Sequence, residues 1–283
     1  MIPEEFSYLR PGSVSEALTA LSEPGAKVLA GGQSLLPLMR LRFAGPKSLI
    51  DLQDVPELRG IELRGPELRI GAFTRHVEVA SANTWQVLRE AAEQTGDRQV
   101  RRMGTIGGAV CHADPAGDLP AALLALGARL ELVGPEGRRV VPIEEFFVGP
   151  LMCAAQESEV LESVFVPVAG KGSGSAYRKL PQEASGFALV GVGARLEFDA
   201  AGVCSAAGIG VTGVGFTPYR ASAAEETLLG TKAEESAIGT ALDAILDDVD
   251  VVGDAYASAE YRSEMCRLLT GRALAAARSQ AKG

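Results

Sequence analysis

The sequence predicts an α+β protein, with strands and helices alternating in an N-terminal α/β part and a smaller C-terminal α+β part holding an antiparallel sheet and helices. Three observations lead there. Up to Leu52 the apolar pattern reads strand, helix, strand, then an apolar run and another strand. From Ile61 to Val166 turn signals pair short strands into hairpins around helical stretches. Beyond Ser175, long apolar strand patterns give way to helical periodicity.

Taken in order, Phe6 to Arg10 alternates as a short strand. Ser13 opens an amphipathic helix with Val14, Leu18 and Leu21 on one face, and Glu16 three residues on completes a capping-box pattern. Pro24-Gly25 stops that helix, Lys27 to Ala30 reads as a buried strand, and Ser48 to Leu52 as another. Ile61–Leu63 and Leu68–Gly71 flank a turn at Arg64-Gly65-Pro66-Glu67. Helical patterns cover His76–Ser81, Trp85–Gln94 and Leu119–Leu126. Arg129–Val133 and Arg138–Pro142 form a second hairpin, and Val160–Val166 is a further strand. Lys171-Gly172-Ser173-Gly174-Ser175 has the composition of a linker. Strands then run over Ala176–Leu180, Ala188–Phe198 and Cys204–Val211, and helices dominate from Ala221, including Ala233–Leu246 and Glu260–Ala277. These patterns place boundaries near residues 56 and 174, giving units 1–56, 57–174 and 175–283.

Charge and composition narrow the function. A net charge of −9 disfavours nucleic acid and anionic membranes as partners. No apolar run approaches the ~20 residues of an integral membrane span. The N-terminus lacks a basic region followed by an apolar stretch, so a cytoplasmic location is expected. Cys111, Cys153, Cys204 and Cys266 stand singly along the sequence, and are expected as reduced, mostly buried thiols. Only His76 and His112 represent histidine, in no metal-ligand spacing, so neither zinc nor an iron–sulfur cluster is expected within this chain.

Two glycine-rich stretches carry the chemistry. Ala30-Gly31-Gly32-Gln33-Ser34-Leu35 follows a strand and precedes a helical run. Two successive glycines permit positive φ and can turn several N–H groups toward one anion, with the Ser34 hydroxyl as an added donor. A plain tight turn is the simpler alternative. The second stretch, Gly104-Thr105-Ile106-Gly107-Gly108-Ala109, reads as another possible nest. It leads to Ala113-Asp114-Pro115-Ala116-Gly117-Asp118-Leu119-Pro120, where Asp118 has the placement of a helix N-cap. Neither stretch is a G-x-G-x-x-G fingerprint or a phosphate-binding P-loop. Two nests can hold a diphosphate from both sides.

Together, A-G-G-Q-S-L-L-P, T-I-G-G and A-D-P-A-x-D-x-P resemble the FAD-binding medium subunit of molybdenum hydroxylases, the family of carbon monoxide dehydrogenase and, more distantly, the flavin domain of xanthine dehydrogenase. The opening Phe6-Ser7-Tyr8-Leu9-Arg10-Pro11 and the late Ala259-Glu260-Tyr261-Arg262 share the likeness, which covers essentially the whole chain. The resemblance implies a two-part FAD-binding domain of the vanillyl-alcohol-oxidase (PCMH) type and a smaller C-terminal domain. It implies non-covalent FAD here, with [2Fe-2S] clusters in an iron–sulfur small subunit and molybdopterin in a molybdenum large subunit, arranged as a dimer of heterotrimers.

By the same resemblance, Ala30, Gly31, Gly32, Gln33, Ser34 and Leu35, with Thr105, Ile106, Gly107, Gly108 and Ala109, hold the pyrophosphate. Asp118 contacts the polar part of FAD beyond it. Leu161 lines the pocket near the adenine or the ring, and Lys179 approaches from the C-terminal domain. Phe187 falls where carbon monoxide dehydrogenase has a tyrosine near the isoalloxazine; an ordinary core position is the alternative. Ala109 departs from the usual asparagine after T-I-G-G, and Gln33 from a histidine of some relatives. Two other functional classes compete: a self-sufficient flavin oxidase of the same fold, and a flavin-free structural subunit.

Overall fold

The computed structural model describes residues 2–282; Met1 and Gly283 lie outside them. The first unit is a parallel sheet of β1 (Ser7–Leu9), β3 (Ser48–Asp51) and β2 (Ala26–Leu29), in that order, with α1 (Val14–Leu21) and α2 (Leu35–Leu41) in the connections. Ser13 caps α1 by accepting the Glu16 N–H at 3.2 Å, as the sequence suggests. Glu16, however, reaches the N–H of Gly12 at 2.7 Å and not that of Ser13.

An antiparallel sheet follows, with order β4 (Ile61–Arg64), β5 (Glu67–Gly71), β10 (Val160–Pro167), β6 (Arg129–Gly134), β7 (Gly137–Pro142). Between β5 and β6 come α3 (His76–Ser81), α4 (Gln86–Gln94), α5 (Arg98–Met103), α6 (Ile106–His112) and α7 (Asp118–Leu126). Between β7 and β10 lies a small hairpin of β8 (Phe147–Gly149) and β9 (Met152–Cys153). The third sheet, antiparallel, has order β11 (Ser173–Pro181), β12 (Ala188–Phe198), β13 (Cys204–Thr212), β14 (Tyr219–Arg220), followed by α8 (Ser222–Leu228), α9 (Glu235–Asp243) and α10 (Ala259–Ala281). The elements α5, β8, β9 and β14 are too short or too polar to carry a legible period.

The linker reading of Lys171–Ser175 is corrected. Ser173 already begins β11, pairing with Glu197, and Ser175 is buried with its hydroxyl accepting the Val87 N–H at 3.0 Å. Gly174 is glycine because a Cβ there would overlap the carbonyl of Ala277 in α10. Its composition serves close packing, not flexibility.

All nine residues of α7 are buried, including its acidic first residue. One side of this helix meets α4 and α6. The other lies on β12 and β13, where Gly193, Gly208 and Gly210 leave a trough without side chains. A Cβ at Gly208 would overlap the carbonyl of Ala125, and one at Gly210 that of Ala121. The helix backbone therefore rests almost directly on the sheet backbone, which brings the end of the second unit against the third.

Filling this trough should be costly, since overpacked cores lose about 1–3 kcal/mol or more. Gly210→Val is expected to lower the melting temperature strongly. Gly239→Ala, in α9 with open space around its Cα, should leave it unchanged or raise it slightly. Scanning calorimetry of both variants checks the contrast; equal melting temperatures would discount the trough.

Candidate functional site

The first glycine loop connects β2 to α2. Gly32 sits at φ +72°, a left-handed conformation that side chains disfavour. The backbone N–H groups from Gly31 to Leu35 donate no hydrogen bond among the described residues. Hydrogen bonding inside α2 resumes only at Leu36, whose N–H meets the Gly32 carbonyl at 3.1 Å. The Gln33 side-chain amide braces the turn by donating to the Gly31 carbonyl at 3.0 Å, while the Ser34 hydroxyl makes no capping bond. A left-handed residue within a run of free donors is the arrangement that binds anions. Each hydrogen bond to a charged acceptor is worth roughly 1.5–3 kcal/mol.

The second loop is built differently, and the two-nest expectation is corrected here. Thr105 is the N-cap of α6, its Oγ1 accepting the Gly108 N–H at 3.1 Å. The N–H of Ile106 goes to the Thr74 carbonyl, that of Gly107 to Ala72, and that of Ala109 to Thr105. Neither Gly107 nor Gly108 has positive φ. Gly107 is glycine because a Cβ would meet the Cβ of Ala72 at 2.6 Å. Thr105, Ile106 and Gly107 are buried, whereas Gly108 and Ala109 are partly exposed. This stretch meets the first loop directly. A Cβ on Gly31 would overlap the Met103 carbonyl and approach Gly104 Cα at 2.6 Å, and a Cβ on Gly108 would lie 3.4 Å from that of Ala30.

His76 lies beneath this junction. A Cβ on Gly104 would be 2.7 Å from its ring, and its Nδ1 has no hydrogen-bond partner. Burial, with the nearby charge of Arg101, lowers its pKa to about 4.

From the C-terminus of α6 the chain passes through Ala113–Gly117 into α7. The N-cap of α7 is Gly117, so Asp118 is its first helical residue and not its cap. The carboxylate turns to β11 instead. Lys179 Nζ lies 2.8 Å from one of its oxygens, and the Tyr177 hydroxyl donates to it at 2.7 Å. Both charged side chains are enclosed, at 2% exposure for Lys179 and 5% for Asp118. Burial pushes the Asp118 carboxyl up, and Lys179 and Tyr177 pull it back. Alternation along β11 puts Ser175, Tyr177 and Lys179 on one face, so the strand period that places Lys179 here also signals Tyr177. Lys179 also donates to the Gln94 carbonyl and to Gly186, at 2.6 Å for the latter.

Gly186 precedes Phe187, which is 48% exposed, so the core reading of this aromatic is excluded. Phe187 borders an open cleft of about 490 Å³ with Pro115, Ala116, Gly213, Phe216 and Arg262. The cleft walls are tied together: the Gly213 N–H donates to the Pro115 carbonyl at 2.7 Å, and Arg262 donates to the carbonyls of Leu189 and Gly213 and pairs with Asp254 at 2.6 Å. Leu161 lies away from this opening, buried in β10 beside a bulge that pairs it with Leu132. Its neighbour Glu162 offers the carbonyl that binds the Ala72 N–H at 3.0 Å, so Leu161 backs the strand on which Gly107 rests.

Comparison with known proteins identifies the family. A family model described as the FAD binding domain in molybdopterin dehydrogenase matches residues 4–169, and the CO dehydrogenase flavoprotein C-terminal domain matches residues 175–277. The chain belongs to the FAD-binding medium-subunit family of the molybdenum hydroxylases. It is 37% identical to the carbon monoxide dehydrogenase medium chain of Afipia carboxidovorans over 100% of both chains. It is 39% identical to that of Hydrogenophaga pseudoflava over 98% of each. The solved carbon monoxide dehydrogenase from Hydrogenophaga pseudoflava that lacks the Mo-pyranopterin moiety superposes with a TM-score of 0.94, covering 99% of both chains. The protein is thus a FAD-binding oxidoreductase subunit. Among the described residues no group of His, Cys, Asp and Glu is arranged to hold a metal, and no helix is long and apolar enough to cross a membrane.

Two outcomes follow from the buried charges. Lys179→Met leaves a buried carboxylate without its cation and should cost about 3–5 kcal/mol, much of it regained in the Asp118→Asn, Lys179→Met double variant. Denaturant melts of the three variants measure the coupling. For His76, the unfolded chain takes up a proton between pH 6.5 and pH 4 that the folded chain refuses. Stability is therefore full above pH 6.5 and falls as pH drops toward 4, by roughly 3 kcal/mol. His76→Gln should flatten the wild-type dependence of melting temperature over that window.

Proposed function

We propose that this chain is the electron-relaying flavoprotein of a molybdenum hydroxylase, holding FAD non-covalently between an iron–sulfur small subunit and an external acceptor. The observation that carries this is the placement of two features at opposite ends of α6. At its start stand the free N–H groups of Gly31–Leu35. Beyond its end opens the cleft bordered by Phe187. The seven residues of α6, roughly 10 Å of helical rise, lie between them, an arrangement suited to a cofactor with a diphosphate at one end and a flat apolar ring at the other.

In this reading Ala30 and Gly31 to Leu35 cradle the diphosphate through backbone donors, and Gly108 and Ala109 form the facing wall. Thr105, Ile106 and Gly107 hold that wall in place against Ala72. Asp118 and Lys179 are positioning residues, because each is committed to the other; Lys179 fixes Gly186 and hence Phe187. Leu161 supports the wall from behind. Phe187 covers one face of the ring and excludes water from it. Units 1–56 and 57–174 clasp the cofactor, and 175–283 closes over its ring. When bound, the flavin supplies the redox chemistry, while the protein positions and tunes it. Neither glycine stretch contains a histidine or cysteine for a covalent tether.

Full-length similarity to medium chains of carbon monoxide dehydrogenase supports assembly with an iron–sulfur small subunit carrying [2Fe-2S] clusters and a molybdenum large subunit carrying molybdopterin. A dimer of these heterotrimers in the cytoplasm completes the proposal.

Acid precipitation of the purified protein should leave FAD in the supernatant; colour in the pellet would refute non-covalent binding. Gly32→Val should strongly reduce flavin content while the fold persists. Phe187→Ala should alter the flavin spectrum and the rate of reoxidation with little change in melting temperature, since this side chain is largely exposed. An unaltered spectrum and rate would remove Phe187 from the site.

A further inference from the structure

The cleft beside Phe187 contains a second turn of free backbone donors. Strand β13 ends at Thr212, and Gly213 follows at φ +79°, a left-handed conformation. A Cβ at Gly213 would also meet the carbonyl oxygens of Leu189 at 2.6 Å and Ala188 at 2.7 Å. The N–H groups of Val214, Gly215, Phe216 and Thr217 donate no hydrogen bond among the described residues. The turn is nonetheless firmly held. The Gly213 N–H and the Thr212 hydroxyl both donate to the Pro115 carbonyl at 2.7 Å, and the Val214 carbonyl accepts the Val252 N–H at 2.9 Å. Arg262 donates to the Gly213 carbonyl and is 6% exposed, so its positive charge, shared with Asp254, lies against the turn. Gly213, Val214, Gly215 and Phe216 line the cleft together with Phe187 and Tyr256. The side chains of Phe216 and Tyr256 are 59% and 69% exposed.

We propose that Val214–Thr217 is a second phosphate-binding turn, and that the cleft takes a nucleoside diphosphate distinct from FAD. A left-handed glycine next to successive unpaired N–H groups is the arrangement also found at Gly32, and it presents several donors to one anion. These donors lose little freedom on binding, because Pro115, Val252 and Arg262 already fix the turn. Exposed aromatic faces beside such donors suit a nucleotide, whose planar base stacks on them whatever its identity. A neutral apolar ring would fill the cleft without using the N–H groups, so the donors select the ligand. The inference rests on the proposed flavin site in one respect: FAD spends its diphosphate on Gly31–Leu35, which leaves the second turn for another ligand. Two sources share this chemistry. One is the adenylate half of a dinucleotide electron acceptor lying beside the flavin, and the other is a free nucleoside diphosphate.

The test uses the full chain loaded with FAD, so that the first turn is filled. Titration calorimetry with ADP and with NAD+ is expected to show a single site per chain, displaced by inorganic pyrophosphate. Adenosine should bind about tenfold or more weakly, the loss of a charge-assisted hydrogen bond. Tighter binding of NAD+ than of ADP assigns the site to a dinucleotide acceptor, and the reverse order to a free nucleotide. Gly215 has room for a Cβ in ordinary contact, 3.4 Å from Val249. Gly215→Asp should therefore fold, keep its FAD and weaken ADP by about tenfold or more through like-charge repulsion, while Gly215→Asn stays close to the unaltered chain. Tyr256→Ala, at an exposed side chain, should weaken ADP but not pyrophosphate. A flavin-loaded chain that binds neither ADP nor NAD+ overturns the proposal, as does binding that Gly215→Asp and Tyr256→Ala both leave unchanged. Loss of FAD in Gly215→Asp gives the turn to the flavin and overturns it too. A chain that never takes up FAD fails the flavin reading instead; titration of Gly32→Val, where ADP should still bind, then decides the second turn by itself.

Discussion

The seating of α7 in the glycine trough of β12 and β13 is the contact on which the remaining architecture depends. The helix is apolar on nearly every side and all of it is buried, so it must be covered on both faces. The sheet face that covers it lacks side chains at Gly193, Gly208 and Gly210, and backbone meets backbone there. This closeness brings the first turn of α7 within reach of β11. Asp118 can then be enclosed with Lys179 and Tyr177, and the pair in turn fixes Gly186 next to Phe187. A thicker interface would separate those charges and leave each without its partner in a poorly hydrated space, an arrangement costing several kcal/mol.

The two glycine stretches shape the proposed cofactor site in different ways. In the first, glycine is a matter of conformation: φ +72° at Gly32 frees successive N–H groups from any internal partner. In the second, glycine is a matter of room. Gly107 lets α6 lie on Ala72, and Gly104 gives space to the buried ring of His76. The N–H groups of Ile106, Gly107, Gly108 and Ala109 are already satisfied within the protein, so the main contribution of the second stretch is shape and support. The family likeness of both motifs therefore reflects two unlike physical demands that converge on one surface.

The third unit closes the cleft through backbone as much as through side chains. Carbonyls of Pro115 and Ala116 accept from β12 and β13 ends, while Arg262 gathers the carbonyls of Leu189 and Gly213 from the far side. An arginine suits that task because its planar fork can satisfy several acceptors at once while Asp254 neutralises it. The aromatic residues at the rim, Phe187 and Phe216, remain exposed because the frame behind them is already complete.

Much of the architecture is legible in local pattern. The alternation of β1, α1, β2 and β3, the hairpins β4–β5 and β6–β7, and the long strands β11 to β13 all follow from apolar period and turn residues that act within a few positions. The run of free backbone donors at Gly31–Leu35 is legible for the same reason, since a glycine pair between a strand and a helix is a local conformational statement. Motif likeness added the flavin and the family. Tertiary structure decided the rest: that Ser173–Ser175 is strand and not linker, that the N–H groups of Ile106 and Gly107 are spent on Thr74 and Ala72, and that Asp118 faces Lys179 and does not cap its own helix. Each of these depends on a partner many residues away, and the chemistry of a buried donor or carboxylate is set by what the fold places opposite it.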